Sequence, residues 1–279
     1  MNSDLRQSVI AITGAGSGIG RCLALECAKR GSNIAISDIN LQNLQATQQQ
    51  IKSNFPQTRV LVSELDIADK DAVFQWADDV VAHFGTVNVI INNAGVGLSA
   101  TVESTSYDDF EWLMNINFWG AVHGCKAFLP HLTKSSWGHM VNVSSLFGLI
   151  ATPNTSAYNA AKFALRGFSE SLRIELMMSH KQVNVSCVHP GGIKTNIANA
   201  SRDGGDKVGS DARISEQERK NNFNEKFAKT TPERAAKIIV NGIIKKQPRI
   251  LVGTDAKFLD ILQRFLPVKY QQVVAKVFS

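Results

Sequence analysis

The chain has 279 residues, of which 44% are hydrophobic and 19% are charged, and its formal net charge is +6. A chain of this length and composition can bury a sizeable core without disulfides, which excludes a disordered, collagen-like or coiled-coil protein. The basic residues are spread along the chain and form no single arm. The charge therefore favours anionic ligands but does not indicate nucleic acid.

The cysteines, the histidines and the N-terminal segment indicate a reducing, cytoplasmic setting and no metal. Cys22, Cys27, Cys125 and Cys187 form no CxxC pair, and the six histidines form no HxH or HExxH pair, so the histidines are expected to be structural. Before Thr13 only residues 9–12 are apolar, which is too short for a signal-peptide core. No stretch approaches the roughly 20 apolar residues of a membrane span.

Short apolar runs alternate with stretches of helical periodicity along most of the chain. The runs predict seven strands, at residues 9–13, 33–38, 60–66, 87–92, 139–145, 183–189 and 249–252, and residues 41–55 and 70–84 show helical periodicity. A parallel strand that is buried on both faces has a nearly continuous apolar sequence. The helices that connect such strands cover both faces of the sheet. We expect one doubly wound, Rossmann-like α/β domain over residues 1–253, with a mainly parallel seven-stranded sheet.

A glycine-rich segment directly follows the first predicted strand and opens a helical pattern that runs to Arg30. It departs from the literal GxGxxG fingerprint but keeps its logic, because glycines allow a tight turn and N–H groups at the helix start bind a pyrophosphate. A flexible glycine turn is the alternative, which the position between strand and helix disfavours. The segment is Thr13-Gly14-Ala15-Gly16-Ser17-Gly18-Ile19-Gly20.

Asp38 ends the second predicted strand, 18 residues after Gly20. An acidic side chain there accepts hydrogen bonds from the adenosine ribose and repels a 2′-phosphate, so NAD is the predicted cofactor and NADP the alternative. Arg21 and Lys29 lie elsewhere on the first helix and do not obviously offset this charge. A competing role for Asp38 is to cap the helix that follows, where Asn40 is also available.

Tyr158 and Lys162 lie four residues apart and so share one face of a predicted helix. A nearby positive charge stabilises phenolate, which predicts a tyrosine pKa below its usual value of about 10. Ser145 ends a predicted strand, where doubly wound sheets bind ligands, and its hydroxyl could orient a substrate carbonyl. Ser144 is the competing choice.

Taken in order, these motifs resemble those of the short-chain dehydrogenase/reductase family. The match to the family's cofactor motif is Thr13-Gly14-(x3)-Gly18-Ile19-Gly20, and Ser145, Tyr158 and Lys162 match its catalytic residues. Further matches are Asn92-Asn93-Ala94-Gly95, Asn117 with Gly120, and Pro190-Gly191 followed by Thr195. Each motif is weak alone, but the ordered set is specific.

The resemblance implies an oxidoreductase that transfers hydride between a nicotinamide cofactor and a secondary alcohol or ketone. Tyr158 would be the acid/base and Ser145 would hold the reacting oxygen. Lys162 would bind the nicotinamide ribose and lower the tyrosine pKa, and Asn117 would position a water in a proton relay through Lys162. Cofactor contacts are further implied at Asp66 and Ile67 (adenine), at Asn93, Ala94 and Gly95 (adenosine ribose), and at Pro190, Gly191, Ile193 and Thr195 (nicotinamide side). A homodimer or homotetramer is also implied.

Two alternatives remain open for the function. One is an NADPH-dependent carbonyl or 3-oxoacyl thioester reductase, and the other is a dinucleotide-binding regulator without turnover. The polar segment 193–229 follows Pro190-Gly191 and is expected to be a substrate lid, with a solvated loop as the alternative. A hydrophobic substrate is favoured by the apolar residues Val96, Leu98, Leu146, Phe147, Leu149 and Ile150 near the strand ends.

Residues 254–279 form an amphipathic C-terminal extension. Its apolar positions predict one helix up to Pro267 and a second stretch beyond it, and basic residues such as Lys257 and Lys276 punctuate both. Packing on the same subunit or on a dimer partner is favoured over peripheral membrane contact, because such faces are usually core.

Overall fold

A computed structural model describes residues 5–197, 200–222, 225 and 227–279. All seven predicted strands are present, with ends that differ by about two residues or less. They are β1 (Val9–Thr13), β2 (Asn33–Asp38), β3 (Val60–Glu64), β4 (Val89–Asn92), β6 (Gly138–Val143), β7 (Val183–Pro190) and β9 (Arg249–Val252), and a short pair is β5 (Leu98–Ser99) and β8 (Arg202–Asp203).

Ten α-helices connect or follow these strands within the described ranges. They are α1 (Gly18–Lys29), α2 (Leu41–Asn54), α3 (Lys70–Phe84), α4 (Tyr107–Met114), α5 (Gly120–Lys134), α6 (Ser156–Ser179), α7 (Glu216–Asn222), α8 (Pro232–Ile244), α9 (Thr254–Phe265) and α10 (Tyr270–Phe278). The two predicted helices are confirmed as α2 and α3.

The seven long strands form one parallel sheet in the order β3-β2-β1-β4-β6-β7-β9. Successive residues of β1 serve opposite faces: Ile10 and Ile12 enter one core layer, whereas Val9 and Ala11 enter the other. Burial on both faces is why the strands read as unbroken apolar runs, and the predicted doubly wound fold is confirmed. The chain reverses its direction of winding between β1 and β4, where such sheets open a crevice at their carboxyl edge.

The polar segment 193–229 is tied to the rest of the chain at several described points. β8 pairs with β5, and the Arg202 guanidinium lies 3.6 Å from the Trp112 ring centroid and 3.0 Å from an Asp109 oxygen. Further along, Asn154 exchanges two hydrogen bonds with the Val208 backbone, at 2.9 and 3.1 Å. The segment therefore reaches the loop that precedes α6. Two-residue strands leave no periodic signal, which is why β5 and β8 were not predicted.

One face of the C-terminal extension packs on its own chain. Leu259 and Leu262 of α9 and Tyr270 of α10 join a cluster with Leu149 and Ile150, and the Ala151 N–H donates to the Tyr270 hydroxyl at 3.2 Å. The other face leaves large apolar side chains exposed, among them Phe258, Ile261, Phe265, Val268 and Val277. Within the described ranges, no helix has both the length and the hydrophobicity to cross a bilayer.

Candidate active site

The loop between β1 and α1 and the first turn of α1 have room only for glycine at two positions, Gly14 and Gly20. Gly14 has φ +65°, and a Cβ placed on it would lie 2.7 Å from the Ala94 Cα atom. A Cβ on Gly20 would lie 2.1 Å from the Gly14 carbonyl oxygen. Ser17 precedes α1 without a side-chain cap, so N–H groups at the helix start are left for an anion. This bare backbone cradle fits the pyrophosphate of a dinucleotide.

The segment after β4 holds that loop in place. The Thr13 hydroxyl accepts the N–H groups of Asn93 at 3.0 Å and of Ala94 at 3.1 Å. The Asn93 side chain donates to the carbonyl oxygens of Thr13 at 2.9 Å and Gly14 at 3.2 Å. Asn93 and Ala94 thereby lock two neighbouring strand ends together, and their ribose contacts stay a prediction.

Asp38 lies beside the glycine loop and does not cap α2. Its two carboxylate oxygens accept the Gly16 N–H at 2.9 Å and the Asn40 N–H at 3.0 Å. Asn40 is the cap, because its side chain accepts the Asn43 N–H at 2.9 Å. Arg21 approaches the same loop, because its side chain folds back from α1 and donates to the Gly16 carbonyl oxygen, but no ion pair joins it to Asp38 among the contacts of the described residues.

Asp66 and Ile67 follow β3 at the same edge of the sheet. An Asp66 carboxylate oxygen accepts the Ala68 N–H at 2.9 Å, which shapes the turn before α3. Ile67 is buried, and a Cβ on Gly120 would lie 2.5 Å from its Cδ1 atom. Gly120 is thus the residue that lets α5 approach this turn. The adenine contacts of Asp66 and Ile67 stay a prediction.

Tyr158, Lys162 and Ser145 come together at the carboxyl edge of β6. The Lys162 Nζ atom lies 5.6 Å from the Tyr158 ring centroid and donates to the Val143 carbonyl oxygen at 3.1 Å. Ser145 lies beside the Tyr158 phenol and acts to lower its pKa. Ser144 is the structural serine of the pair, since its buried hydroxyl donates to the Lys162 carbonyl oxygen at 2.9 Å.

Burial dominates the electrostatics of this cluster. It raises the pKa of Tyr158 above its usual value, and the hydrogen bond from Ser145 opposes that rise. Burial also lowers the pKa of Lys162 to about 8. In the chain by itself the pKa of Tyr158 is therefore raised and not lowered, because burial outweighs the groups that stabilise the phenolate, and the lowering by Lys162 stays a prediction.

Asn117 is buried in a short π-helical segment, Asn115–Trp119, between α4 and α5. Its amide oxygen accepts the Val96 N–H and its amide nitrogen donates to the Val96 carbonyl oxygen, both at 2.8 Å. The side chain thus fixes the backbone just beyond Gly95. Single π-turns inside helices recur at functional sites, but the water relay through Asn117 stays a prediction.

The segment after β7 returns to the glycine loop. Ile193 is buried, and the Thr195 Cγ2 atom lies 3.3 Å from a Cβ placed on Gly18. The carboxylate of Asp255, at the start of α9, accepts the Gly192 N–H at 2.7 Å and lies against Gly191. Asp255 was not predicted here. The glycine pair beside a strand end could have suggested that another group lies close to this backbone.

The carboxyl edge thus joins two kinds of site: a bare backbone cradle beside Asp38, and a half-buried phenol and a buried amine beside a strand-end hydroxyl. Among the described side chains, no group of three His, Cys, Asp or Glu residues could hold a metal ion. This combination defines an oxidoreductase that binds a nicotinamide dinucleotide.

Comparison with known proteins is consistent with this class. The family model for short chain dehydrogenase matches residues 8–205. SadH from Mycobacterium tuberculosis is 46% identical over 98% of this chain and 96% of its own length, and human estradiol 17-beta-dehydrogenase 11 is 30% identical over 97% and 83%. A short chain dehydrogenase/reductase from Burkholderia phymatum, solved in complex with NAD, superposes with a TM-score of 0.86 at 25% identity and 95% coverage of both chains. The chain belongs to the short-chain dehydrogenase/reductase family.

Proposed function

We propose that this oxidoreductase transfers hydride between NAD and a hydrophobic secondary alcohol or ketone, with Tyr158 as the acid/base. The observation that carries the proposal is the meeting of Ser145, Tyr158 and Lys162 at the carboxyl edge of β6, with the Lys162 Nζ atom 5.6 Å from the Tyr158 ring centroid. When bound, the nicotinamide ring accepts or supplies the hydride, so the chain has only to align the reactants and to manage one proton.

Each side chain has a defined task in that proton transfer. The Ser145 hydroxyl oxygen accepts the Phe147 N–H at 3.1 Å, so its own proton remains available for an oxygen atom in the crevice. In alcohol oxidation, the substrate O–H proton passes to the Tyr158 oxygen while the substrate carbon loses hydride. In ketone reduction, Tyr158 returns that proton. The Lys162 ammonium stabilises the phenolate that accepts the proton in oxidation and that remains after reduction.

Asp38 supports NAD over NADP. Its carboxylate lies at the end of β2 against the Gly16 N–H, where a 2′-phosphate would meet a negative charge. Arg21 contacts the same loop, and this specific observation keeps an NADPH-dependent carbonyl or 3-oxoacyl thioester reductase as the second candidate. The relative kcat/KM values with NADH and NADPH distinguish the two.

The hydrophobic character of the substrate now depends on fewer residues than the sequence suggested. Four of the six apolar residues are buried in packing and offer little surface to a substrate, namely Leu98, Leu146, Leu149 and Ile150. Phe147 and Val96 retain partial exposure, and the Phe147 ring lies edge-on to Tyr158 with centroids 6.1 Å apart. These two residues support an apolar substrate next to the reacting oxygen.

The experiment that tests the proposal compares Tyr158→Phe with Tyr107→Phe, a matched control because Tyr107 is 88% exposed. We expect Tyr158→Phe to bind NADH as the wild type does but to lose turnover by about 10³-fold or more on a panel of alcohols and ketones. The control should be unaffected. Unchanged turnover in Tyr158→Phe overturns the role, and tight NADH binding by a wild type that turns over no substrate favours the regulator.

The cytoplasmic location, the homodimer or homotetramer and the closing of segment 193–229 over the substrate stay predictions. Sedimentation analysis at two protein concentrations tests the assembly. Protease sensitivity of segment 193–229 with and without NADH tests the lid, which predicts protection when the cofactor is bound.

A further inference from the structure

His189 lies directly behind the catalytic cluster and has no part in the proposed proton transfer. The ring is fully buried at the end of β7, next to Pro190. Its Nδ1 atom lies 2.9 Å from the Ser145 carbonyl oxygen. Because a carbonyl oxygen only accepts, Nδ1 carries the proton and donates it to Ser145. The imidazole thus binds the backbone of the residue whose hydroxyl meets Tyr158.

The pairing of β6 with β7 explains why a side chain is needed there. The Ser144 N–H donates to the Val188 carbonyl oxygen at 2.9 Å, and this is the last main-chain bond between the two strands among the described residues. In a parallel ladder the next donor would be the N–H of residue 190, and Pro190 has none. Ser145 would then follow the sheet unsupported on this side. The bond that proline removes would have reached the Ser144 carbonyl oxygen; the His189 side chain instead holds the next carbonyl oxygen, that of Ser145.

The same carbonyl oxygen also accepts the Gly148 N–H at 3.0 Å. That bond lies within the turn that Ser145 itself begins, so it moves with Ser145 and cannot hold the turn to the sheet. Only the His189 bond connects this carbonyl oxygen to the neighbouring strand among the contacts of the described residues.

The second ring nitrogen of His189 shows that stability alone does not account for the residue. With the proton on Nδ1, Nε2 is an acceptor, and it is buried with no hydrogen-bond partner among the described atoms. Burial also lowers the pKa of His189 to about 4, so the ring is neutral near pH 7. A buried acceptor without a donor destabilises a fold, and an apolar side chain of similar size would avoid that cost.

We propose that His189 is a positioning residue for the reaction: its Nδ1–H group holds the backbone of Ser145 so that the Ser145 hydroxyl meets the Tyr158 phenol and the substrate oxygen. The catalytic consequence rests on the proposed function, whereas the placement of Ser145 does not. Only a hydrogen-bond donor at the position of Nδ1 is required for this role, and the rest of the imidazole ring is not.

The matched pair His189→Asn and His189→Gln tests this requirement. The Asn amide nitrogen is as many bonds from the backbone as Nδ1, whereas the Gln amide nitrogen is one bond further away. We expect kcat to stay within about threefold of wild type in His189→Asn and to fall by about 10- to 100-fold in His189→Gln and His189→Leu, the cost of a displacement near 1 Å. The Kd for NADH should be unchanged in all three variants.

Thermal unfolding separates positioning from general stability. We expect the Tm of His189→Leu to equal or exceed that of the wild type although its kcat falls. Full turnover in His189→Leu overturns the proposal, as does an equal loss in His189→Asn and His189→Gln. If His189→Leu fails to fold, the Asn and Gln variants still decide.

Crystal structures of the wild type and the variants show whether His189 sets the position of Ser145. This test does not require a known substrate. A Ser145 hydroxyl displaced from Tyr158 in His189→Gln but not in His189→Asn supports the proposal. An undisplaced Ser145 in His189→Gln overturns it. A wild type without turnover on any alcohol or ketone is a failure of the proposed function, and the displacement of Ser145 remains measurable in that case.

Discussion

The two halves of the carboxyl edge use opposite chemistry. At the ends of β1 and β2 the protein offers backbone: side chains are absent at Gly14 and Gly20, and Asp38 is bonded to main-chain N–H groups. At the ends of β6 and β7 it offers buried polar side chains, among them Lys162 and His189. The first half depends on backbone that is free of side chains, and the second depends on side chains whose pKa values are shifted by burial. Substitutions should therefore damage the two halves in different ways.

After Tyr158→Phe, the largest expected effect is the loss of turnover in Lys162→Met, with the exposed Lys52→Met as the control. We expect kcat to fall by about 100-fold or more, because the phenolate loses its neighbouring cation. Such a loss without a change of fold would place Lys162 in the half that depends on protonation.

The same variant makes a stability prediction with a defined sign. The pKa of Lys162 is lowered from 10.5 to about 8 in the folded protein, so the unfolded chain binds this proton more tightly. The charged form therefore destabilises the fold below pH 8, on the order of 3 kcal/mol, and this cost disappears as the pH rises towards 10.5. Lys162→Met should be more stable than wild type at pH 7, with a gap that narrows by pH 10 in urea titrations. If the difference in unfolding free energy between the variant and the wild type does not depend on pH, the lowered pKa of Lys162 is contradicted.

A glycine substitution should break the cofactor half by shape alone. Gly14→Ala is compared with Gly85→Ala, because both glycines have positive φ, +65° and +83°, whereas no described atom lies within 4 Å of a Cβ on Gly85. Both variants pay backbone strain of about 1 kcal/mol. Only Gly14→Ala also collides with Ala94, so we expect it alone to weaken NADH binding, by about 100-fold. Equal NADH affinities in the two variants would mean that the cradle is not the binding site.

A smaller effect is expected on the choice of cofactor. Asp38→Asn removes the charge and keeps an oxygen that can accept the Gly16 N–H. We expect the ratio of kcat/KM with NADPH to that with NADH to rise by about 10- to 100-fold. This is the effect expected from removing one repulsion, that between the Asp38 carboxylate and the 2′-phosphate of NADPH. Asp79→Asn, on the exposed face of α3, is the control. No change in the ratio argues that Asp38 does not face the ribose.

The smallest effect concerns the exposed face of the C-terminal extension, where peripheral membrane contact stays a prediction. Phe258 and Phe265 are 65% and 81% exposed, Lys257 and Lys269 are also exposed, and the Asp260 carboxylate turns inward to Arg249. If this face meets a bilayer, changing both phenylalanines to serine should reduce flotation with phosphatidylserine vesicles about fivefold. Ile174→Ser with Met178→Ser is the control pair on α6. A wild type that never floats ends the membrane prediction.

Much of the cofactor half could be predicted from the sequence because its signals are local. Strand period, glycine spacing and the acid at a strand end are properties of short segments, and the structure places Gly14, Gly20 and Asp38 at one edge as expected. The exception is Arg21, which folds back on the loop by a rotamer that no spacing encodes.

The catalytic half shows what only the tertiary structure decided. The sequence by itself determined that Ser145, Tyr158 and Lys162 stand at one strand end and on one helix face, since both follow from periodicity and sheet direction. It could not determine the direction of the Tyr158 pKa shift, the burial of Leu149 under the C-terminal helices or the bond from His189 to Ser145. Those depend on segments far apart in the chain, because desolvation and hydrogen bonding arise only when the neighbours of a residue are in place.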